Sequence, residues 1–142
     1  MFTELDLEKI FLSIKLAHTY EFKILTKKDK KKIIGEIDRI VTKHSIIGVH
    51  NEYARALGNA TKHGSYPVKC SIYIGQRKQM ICVITDSGKG FDYRKIIEKY
   101  QSGKVYYKHH GKGIKRLGVN PDLKVDWQDG GKTIILYYNA GY

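Results

Sequence analysis

Residues 80–91 read Met-Ile-Cys-Val-Ile-Thr-Asp-Ser-Gly-Lys-Gly-Phe. The unbroken apolar run Met80, Ile81, Cys82, Val83, Ile84 predicts a strand buried on both faces, near the middle of a sheet. Its character changes abruptly at Asp86, a carboxylate at the strand's C-terminal end. Such a group can accept the exocyclic amino group of a purine. Gly88 and Gly90, two and four residues on, let backbone approach a ligand with no Cβ in the way. A plain strand-to-helix turn carries the same residues, so neighbouring segments decide between the two readings.

Upstream, Val68, Cys70, Ile72 and Ile74 alternate with Lys69, Ser71 and Tyr73, predicting a partner strand joined through a turn at residues 75–78. Before it, Val49, Tyr53, Ala56, Leu57 and Ala60 recur at helical spacing, predicting a helix over residues 47–62 ended by Gly64. A further helix is expected over residues 27–44, capped by Thr26, with Ile33, Ile34, Ile37, Ile40 and Val41 as its apolar stripe. Helix and strand readings compete over residues 5–17. A helix followed by a strand over residues 20–25 fits better. Downstream, residues 92–100 read as a short helix and 101–113 as a polar, basic loop. Residues 114–117 could begin another helix. Residues 123–128 and 133–138 read as a hairpin around Asp129-Gly130-Gly131. This order predicts an α+β fold, a two-layer α/β sandwich with a mixed sheet and helices on one face, in one domain over residues 1–142.

Two further segments carry chemistry. The helix over residues 47–62 ends in Asn59-Ala60-Thr61-Lys62-His63-Gly64. An Asn carboxamide can ligate Mg²⁺ through oxygen, and the metal in turn bridges phosphates. Lys62, three residues on, shares that face and can reach phosphate oxygens. His110-Gly111-Lys112-Gly113-Ile114 places glycines around a lysine before a helix start, where backbone N–H groups can meet phosphates.

Together the segments resemble the ATP-site motifs of the GHKL superfamily, the gyrase, chaperone, histidine-kinase and mismatch-repair ATPases. Residues 59–64 match its N-box, NAxKHG. Asp86, Gly88 and Gly90 match the first glycine box, DxGxG, and Gly111 and Gly113 match the second, GxG. The resemblance spans residues 47–138, and three motifs in order make it specific. Compact length and the N-box form look most like the anti-sigma-factor serine/threonine kinase branch. It implies a Bergerat-type ATP-binding fold with ATP or ADP and Mg²⁺ as ligands. Asn59 would hold the metal, and Lys62 would contact phosphate with His63 beside it. Asp86 would bind adenine, with Gly88 and Gly90 lining its pocket. Gly111, Lys112 and Gly113 would form a lid, and Thr133 would lie near adenine. A protein partner of the anti-anti-sigma type is implied, and members of the family often form homodimers.

One position departs from the pattern. The family's general base is a Glu four residues before the Mg-binding Asn, and here that position is Arg55. A guanidinium cannot accept a proton. Glu52 lies two turns before Asn59, with its Cα roughly 10 Å from that of Asn59, and can substitute only if nucleotide or helix shifts.

The net charge is +12, from 26 Lys and Arg against 14 Asp and Glu. That favours anionic partners, but the run Lys27, Lys28, Lys30, Lys31, Lys32 reads first as a solvated helix start, so charge alone is the argument for nucleic acid. Cys70 and Cys82 sit in alternating apolar segments and read as buried free thiols. The six His residues lack metal-ligand spacing. No apolar run approaches the roughly 18 residues of a membrane span, and the acidic start does not read as a signal peptide. A cytoplasmic protein is expected.

Overall fold

The computed structural model of the chain describes residues 2–63, 65–101 and 120–140. Its elements run α1 (Leu7–Ile14), β1 (Leu16–Ile24), α2 (Lys27–Lys43), α3 (His50–His63), β2 (Val68–Gly75), β3 (Met80–Thr85), α4 (Tyr93–Gln101), β4 (Leu123–Gln128) and β5 (Thr133–Tyr138). The strands form one sheet in the order β1-β2-β3-β5-β4. Every neighbouring pair is antiparallel. The expectation of a mixed sheet is therefore corrected. The parallel pairing seen among the described residues is a bridge from Phe2 to Val125.

The period-2 pattern divides the sheet into two faces. On one face Ile24, Cys70, Ile72, Cys82, Ile84, Val125 and Leu136 meet Ile33, Ile37 and Ile40 of α2 and Tyr53, Ala56 and Leu57 of α3. This is the expected two-layer sandwich, and each Ile, Leu or Val side chain buried in it contributes about 1.5–3 kcal/mol. The opposite face is not bare. Ile81, Ile135 and Tyr137 are buried with Ile14 of α1, and Phe11 tilts against Tyr73 at 4.6 Å between ring centroids. Helices on one face only was thus incomplete: α1 covers part of the second face. That explains why β3 is apolar at consecutive positions.

Two boundaries differ from the sequence reading. Strand β1 starts at Leu16, four residues before the expected Tyr20. Lys15 adopts φ 52°, which stops α1 and turns the chain at once into the sheet. Helix α3 starts at His50 rather than near Ile47. Gly48 sits at φ 87°, and the Ile47 carbonyl accepts the Tyr138 hydroxyl at 2.5 Å, holding this segment extended from the helix.

Helices α2 and α3 are joined by a polar cluster that no motif announced. The buried Tyr53 hydroxyl donates to Asp38 Oδ1, and His50 Nδ1 lies 2.5 Å from the same oxygen. Burial, and then the bond to Asp38, push the Tyr53 phenol's pKa up. Cys70 and Cys82 are buried free thiols on neighbouring strands, their sulfurs 3.9 Å apart. The bond to Cys70, together with burial, holds the Cys82 thiol above its ordinary pKa. No helix among the described residues is long and apolar enough to cross a membrane.

Thr26 occupies the N-cap of α2, and the capping bond comes largely from Asp29. Its Oδ2 accepts the N–H groups of Leu25 and Thr26, each at 3.1 Å. Those two bonds lower the Asp29 pKa. A carboxylate depressed on folding adds stability above its unfolded pKa and loses it as pH falls through the folded value. Asp29→Ala is therefore expected to destabilise the protein near neutrality. The gap between variant and wild type should close below about pH 4, the ordinary carboxylate range. Urea unfolding at several pH values measures it, and a gap independent of pH would contradict the capping role.

Candidate functional site

Helix α3 carries two kinds of residue. Its stripe of Tyr53, Ala56, Leu57 and Ala60 is buried, and the helix packs on β3 and β5. Asn59 is half-buried and Lys62 exposed in its C-terminal half. Among the described residues neither side chain makes a hydrogen bond or ion pair, so the Asn59 carboxamide is available to a ligand. Arg55, one turn earlier, is half-buried. Glu52 is turned to another task. Its Oε1 accepts the Asn120 amide at 3.3 Å, and that amide also donates to the Gly48 carbonyl at 3.0 Å. Glu52 thus fastens the approach to β4 onto the start of α3, at the end of the helix away from Asn59.

The loop after β3 is fixed on three sides. Toward α3, Ser87 N–H donates to the Ser65 carbonyl at 2.9 Å, and Ser87 Oγ donates to the Pro67 carbonyl at 2.8 Å. Both acceptors lie in the short connection from α3 to β2. Toward β5, Asp86 N–H donates to the Lys132 carbonyl at 3.0 Å, and Phe91 N–H to the Gly130 carbonyl at 3.1 Å. Beyond the glycines, Phe91 meets the edge of Trp127 at 6.0 Å and anchors the loop in the core. Within the loop, Asp86 Oδ1 accepts the Gly88 N–H at 2.7 Å. This local turn aims the carboxylate and leaves Oδ2 without a protein partner among the described residues.

The glycines divide by role. Gly90 has φ 77°, and a Cβ there would stand 2.0 Å from the Gly130 carbonyl oxygen. Gly131 has φ 93°, and a Cβ there would stand 2.6 Å from the Phe91 carbonyl oxygen. The β3 loop and the β4–β5 turn therefore cross at backbone-to-backbone distance. The sequence reading gave Gly90 to ligand approach, and the structure gives it first to this crossing. The β3–β5 pairing sets Thr133 beside the loop: its hydroxyl lies 3.0 Å from that of Thr85, the residue before Asp86. Sequence reasoning took Asp129-Gly130-Gly131 for a simple hairpin turn and did not single out Ser65 or Ser87. The sequence carried no signal for this docking, since an ordinary two-residue hairpin turn also favours Gly-Gly.

The end of α3, the Asp86–Gly90 loop and the Gly130–Thr133 segment thus meet at one end of the sheet, tied by the bonds above. Gly64, Gly111, Lys112 and Gly113 lie outside the described residues, as does the side chain of His63. No group of three or more metal-ligating side chains forms among the described residues. Among the described residues, His18, His44 and His50 take structural contacts: His44 Nε2 lies 2.9 Å from the Tyr20 hydroxyl, the His18 ring meets that of His44, and His50 meets Asp38. Burial holds the His44 pKa down. Cavities of about 400 and 300 Å³ open elsewhere, one between α1 and Tyr137 and one beside His18 and His44. Neither includes a motif residue. No family model, curated protein or solved structure matches this chain.

Gly90→Ala is expected to cost about 2 kcal/mol or more, because it adds a left-handed alanine to a blocked crossing. Gly35→Ala in the middle of α2 meets nothing within 4 Å and should stabilise by roughly 0.5–1 kcal/mol. Denaturant unfolding of the two variants provides the comparison. Equal small effects would mean that the loops do not cross as described.

Proposed function

We propose that this chain is a Mg-ATP-binding regulatory domain of the GHKL type. In this reading it resembles the anti-sigma-factor serine/threonine kinases and acts on a protein partner, by phosphate transfer or by sequestration. One observation carries the reading. The loop bearing Asp86 is bonded on one side to the segment that ends the Asn59 helix and on the other to the segment bearing Thr133. The pairing of β2, β3 and β5 brings these three stretches to one end of the sheet, which is where the reading needs them.

The residues present fit the ligand. Asp86 offers an unshared carboxylate oxygen at a strand end, suited to the exocyclic amino group of adenine. Asn59 offers a carboxamide with no competing protein partner, a hard oxygen donor of the kind Mg²⁺ takes. Lys62 adds a positive charge one turn on for phosphate. Bound ATP would supply the phosphoryl group, with Mg²⁺ neutralising its charge. The chain's own contribution is to hold the purine edge, orient the phosphates along α3 and present the partner.

Arg55 favours a second reading, a nucleotide-binding regulator that sequesters its partner with little or no turnover. Its guanidinium stands where a proton acceptor is expected and can only donate. A cation there strengthens the ground-state grip on phosphate without activating water or a hydroxyl. Glu52 could repair the loss only if nucleotide or helix shifts, and its Oε1 accepts the Asn120 amide at 3.3 Å. The third reading, a basic module for nucleic acid or acidic protein with a degenerate nucleotide site, rests on the +12 charge. The unpartnered Asn59 and Asp86 oxygens weigh against degeneracy.

Thermal shift with ATP, with and without Mg²⁺, separates these. A ligand at 100 times its dissociation constant adds about 2.7 kcal/mol to the native state. The expected result is a Mg-dependent rise in melting temperature for wild type. Asp86→Asn should lose selectivity for ATP over GTP while keeping its unliganded melting temperature, since an amide replaces the acceptor with an ambiguous donor. Equal affinities of wild type and variant for ATP would overturn the pocket, and no shift with any nucleotide would favour the basic module. A separate expectation concerns Arg55→Glu, which restores an acceptor one turn before Asn59 and should raise ATP turnover about tenfold or more. Steady-state phosphate release measures it, and unchanged turnover would mean that the missing base is not what limits the reaction.

A further inference from the structure

The cavity of about 300 Å³ beside His18 and His44 lies at the end of the sheet away from Asp86. The length of β3 separates the two, roughly 17 Å at about 3.3–3.4 Å per residue. Three segments wall the cavity: β1 contributes His18, the C-cap of α2 contributes His44, and the β2–β3 turn contributes Gln76 and Lys78. Their backbones are fixed. The β1–β2 pairing slips between Leu16 and His18, an irregularity of the kind that re-aims side chains at sheet edges. Gln76 N–H is shared between the Ile14 carbonyl at 3.3 Å and the Lys15 carbonyl at 3.2 Å, which ties the turn to the start of β1. Lys78 holds a left-handed conformation at φ 63°.

The chemistry of these walls is one-sided. The His18 and His44 rings stand 4.6 Å apart between centroids. The Tyr20 hydroxyl lies 2.9 Å from His44 Nε2. His44 Nδ1 and both ring nitrogens of His18 have no hydrogen-bond partner among the described residues. No acidic residue lines the cavity, and among the described residues no carboxylate pairs with either ring. The titratable groups around His44 are His18 and Tyr20 of β1, Lys43 of α2 and Lys78 of the turn, all cationic or neutral. Burial, and then the charges of His18 and Lys43, hold the His44 pKa down. An anion in the cavity would reverse the electrostatic part of that effect.

We propose that the cavity between His18, His44 and the Gln76–Lys78 turn binds a phosphate group, free or carried by a small phosphomonoester. A carboxylate brings one charge and two coplanar oxygens. A phosphate brings up to two charges and oxygens in several directions, which suits donors arriving from three segments. The volume sits at the lower end of small-ligand pockets. Five non-hydrogen atoms, at roughly the 30 Å³ a water occupies, fill about half of it, and the remainder has room for a small organic group beside Ala17. A divalent metal ion fits less well, because the neighbours are cationic and no third His, Cys, Asp or Glu joins the rings among the described residues. The inference uses none of the nucleotide-site residues and stands whether or not the chain binds ATP.

NMR of the histidine rings in the full chain, titrated with inorganic phosphate at constant ionic strength, tests it. The His18 and His44 signals are expected to move saturably. His50, held by Asp38, serves as the internal reference and should stay in place. At saturation the His44 titration midpoint should move to higher pH, because a bound anion favours the imidazolium. His18→Gln removes a cation from an exposed position, and Lys78→Asn removes another with a residue that tolerates the left-handed backbone. Each should weaken phosphate binding by about tenfold or more. The same titration with glycerol phosphate separates the two sources: tighter binding assigns the site to a phosphomonoester, and equal binding assigns it to free phosphate. Absence of a saturable shift at His18 and His44 would overturn the inference. So would shifts shared equally by His50, variants that bind phosphate like wild type, or rings that respond to Zn²⁺ and not to phosphate.

Discussion

The structure depends on a crossing of two backbones at which no side chain fits. Gly90 passes the Gly130 carbonyl, and Gly131 passes the Phe91 carbonyl, both glycines in left-handed conformations. This contact fixes the loop after the central strand to the turn between the last two strands. With Phe91 seated on Trp127 below it, the loop has little freedom. Asp86 is consequently held at the end of β3 by its own N–H bond to Lys132 and by the Gly88 N–H on its carboxylate. The side chain is oriented before any ligand arrives, which lowers the ordering cost of binding.

The second constraint comes from the helix layer. Tyr53, Ala56, Leu57 and Ala60 commit one face of α3 to the core. Asn59 and Lys62 are left on the remaining surface, at the end of the helix joined by Ser65 and Pro67 to the Asp86 loop. The other end is secured by Gly48, Glu52, Asn120 and Tyr138, and the Asp38–Tyr53–His50 cluster locks α3 to α2. Polar groups at the start of α3 are thus spent on structure, whereas Asn59 and Lys62 near its end have no protein partner among the described residues. The split separates Glu52 from Asn59 in role as well as in distance.

Most elements were legible because their periodicity was clean. Strands β2, β3, β4 and β5 and helices α2 and α4 lie within a residue or two of their expected positions, since buried apolar stripes impose period 2 or 3.6. The first half of β1 was hidden for a physical reason. An edge strand exposed on both faces, as Leu16, Ala17, His18 and Thr19 are, has no buried side to generate alternation. The purely antiparallel sheet was not readable, because strand order is set by tertiary pairing rather than by any single segment. The second-face packing of α1 was likewise hidden, although the continuous apolar run of β3 was its trace. In the candidate site, Asn59 and Asp86 were singled out by residue type and spacing, and Thr133 by the family resemblance alone. The backbone crossing at Gly90 was not legible, because a glycine required by another backbone and one required by a ligand look the same in sequence. Ser65 and Ser87 carry no chemical signature and emerged from the bonds alone.

The proposed function requires Asn59 and Asp86 to serve one ligand, and a crystal structure of the chain with Mg-ADP decides whether they do. The expected result is an adenine amino group on Asp86 Oδ2, with the metal on the Asn59 carboxamide oxygen and Lys62 turned toward phosphate. Nucleotide bound elsewhere on the molecule, or an Asp86 and Asn59 that open onto separate clefts, would contradict it.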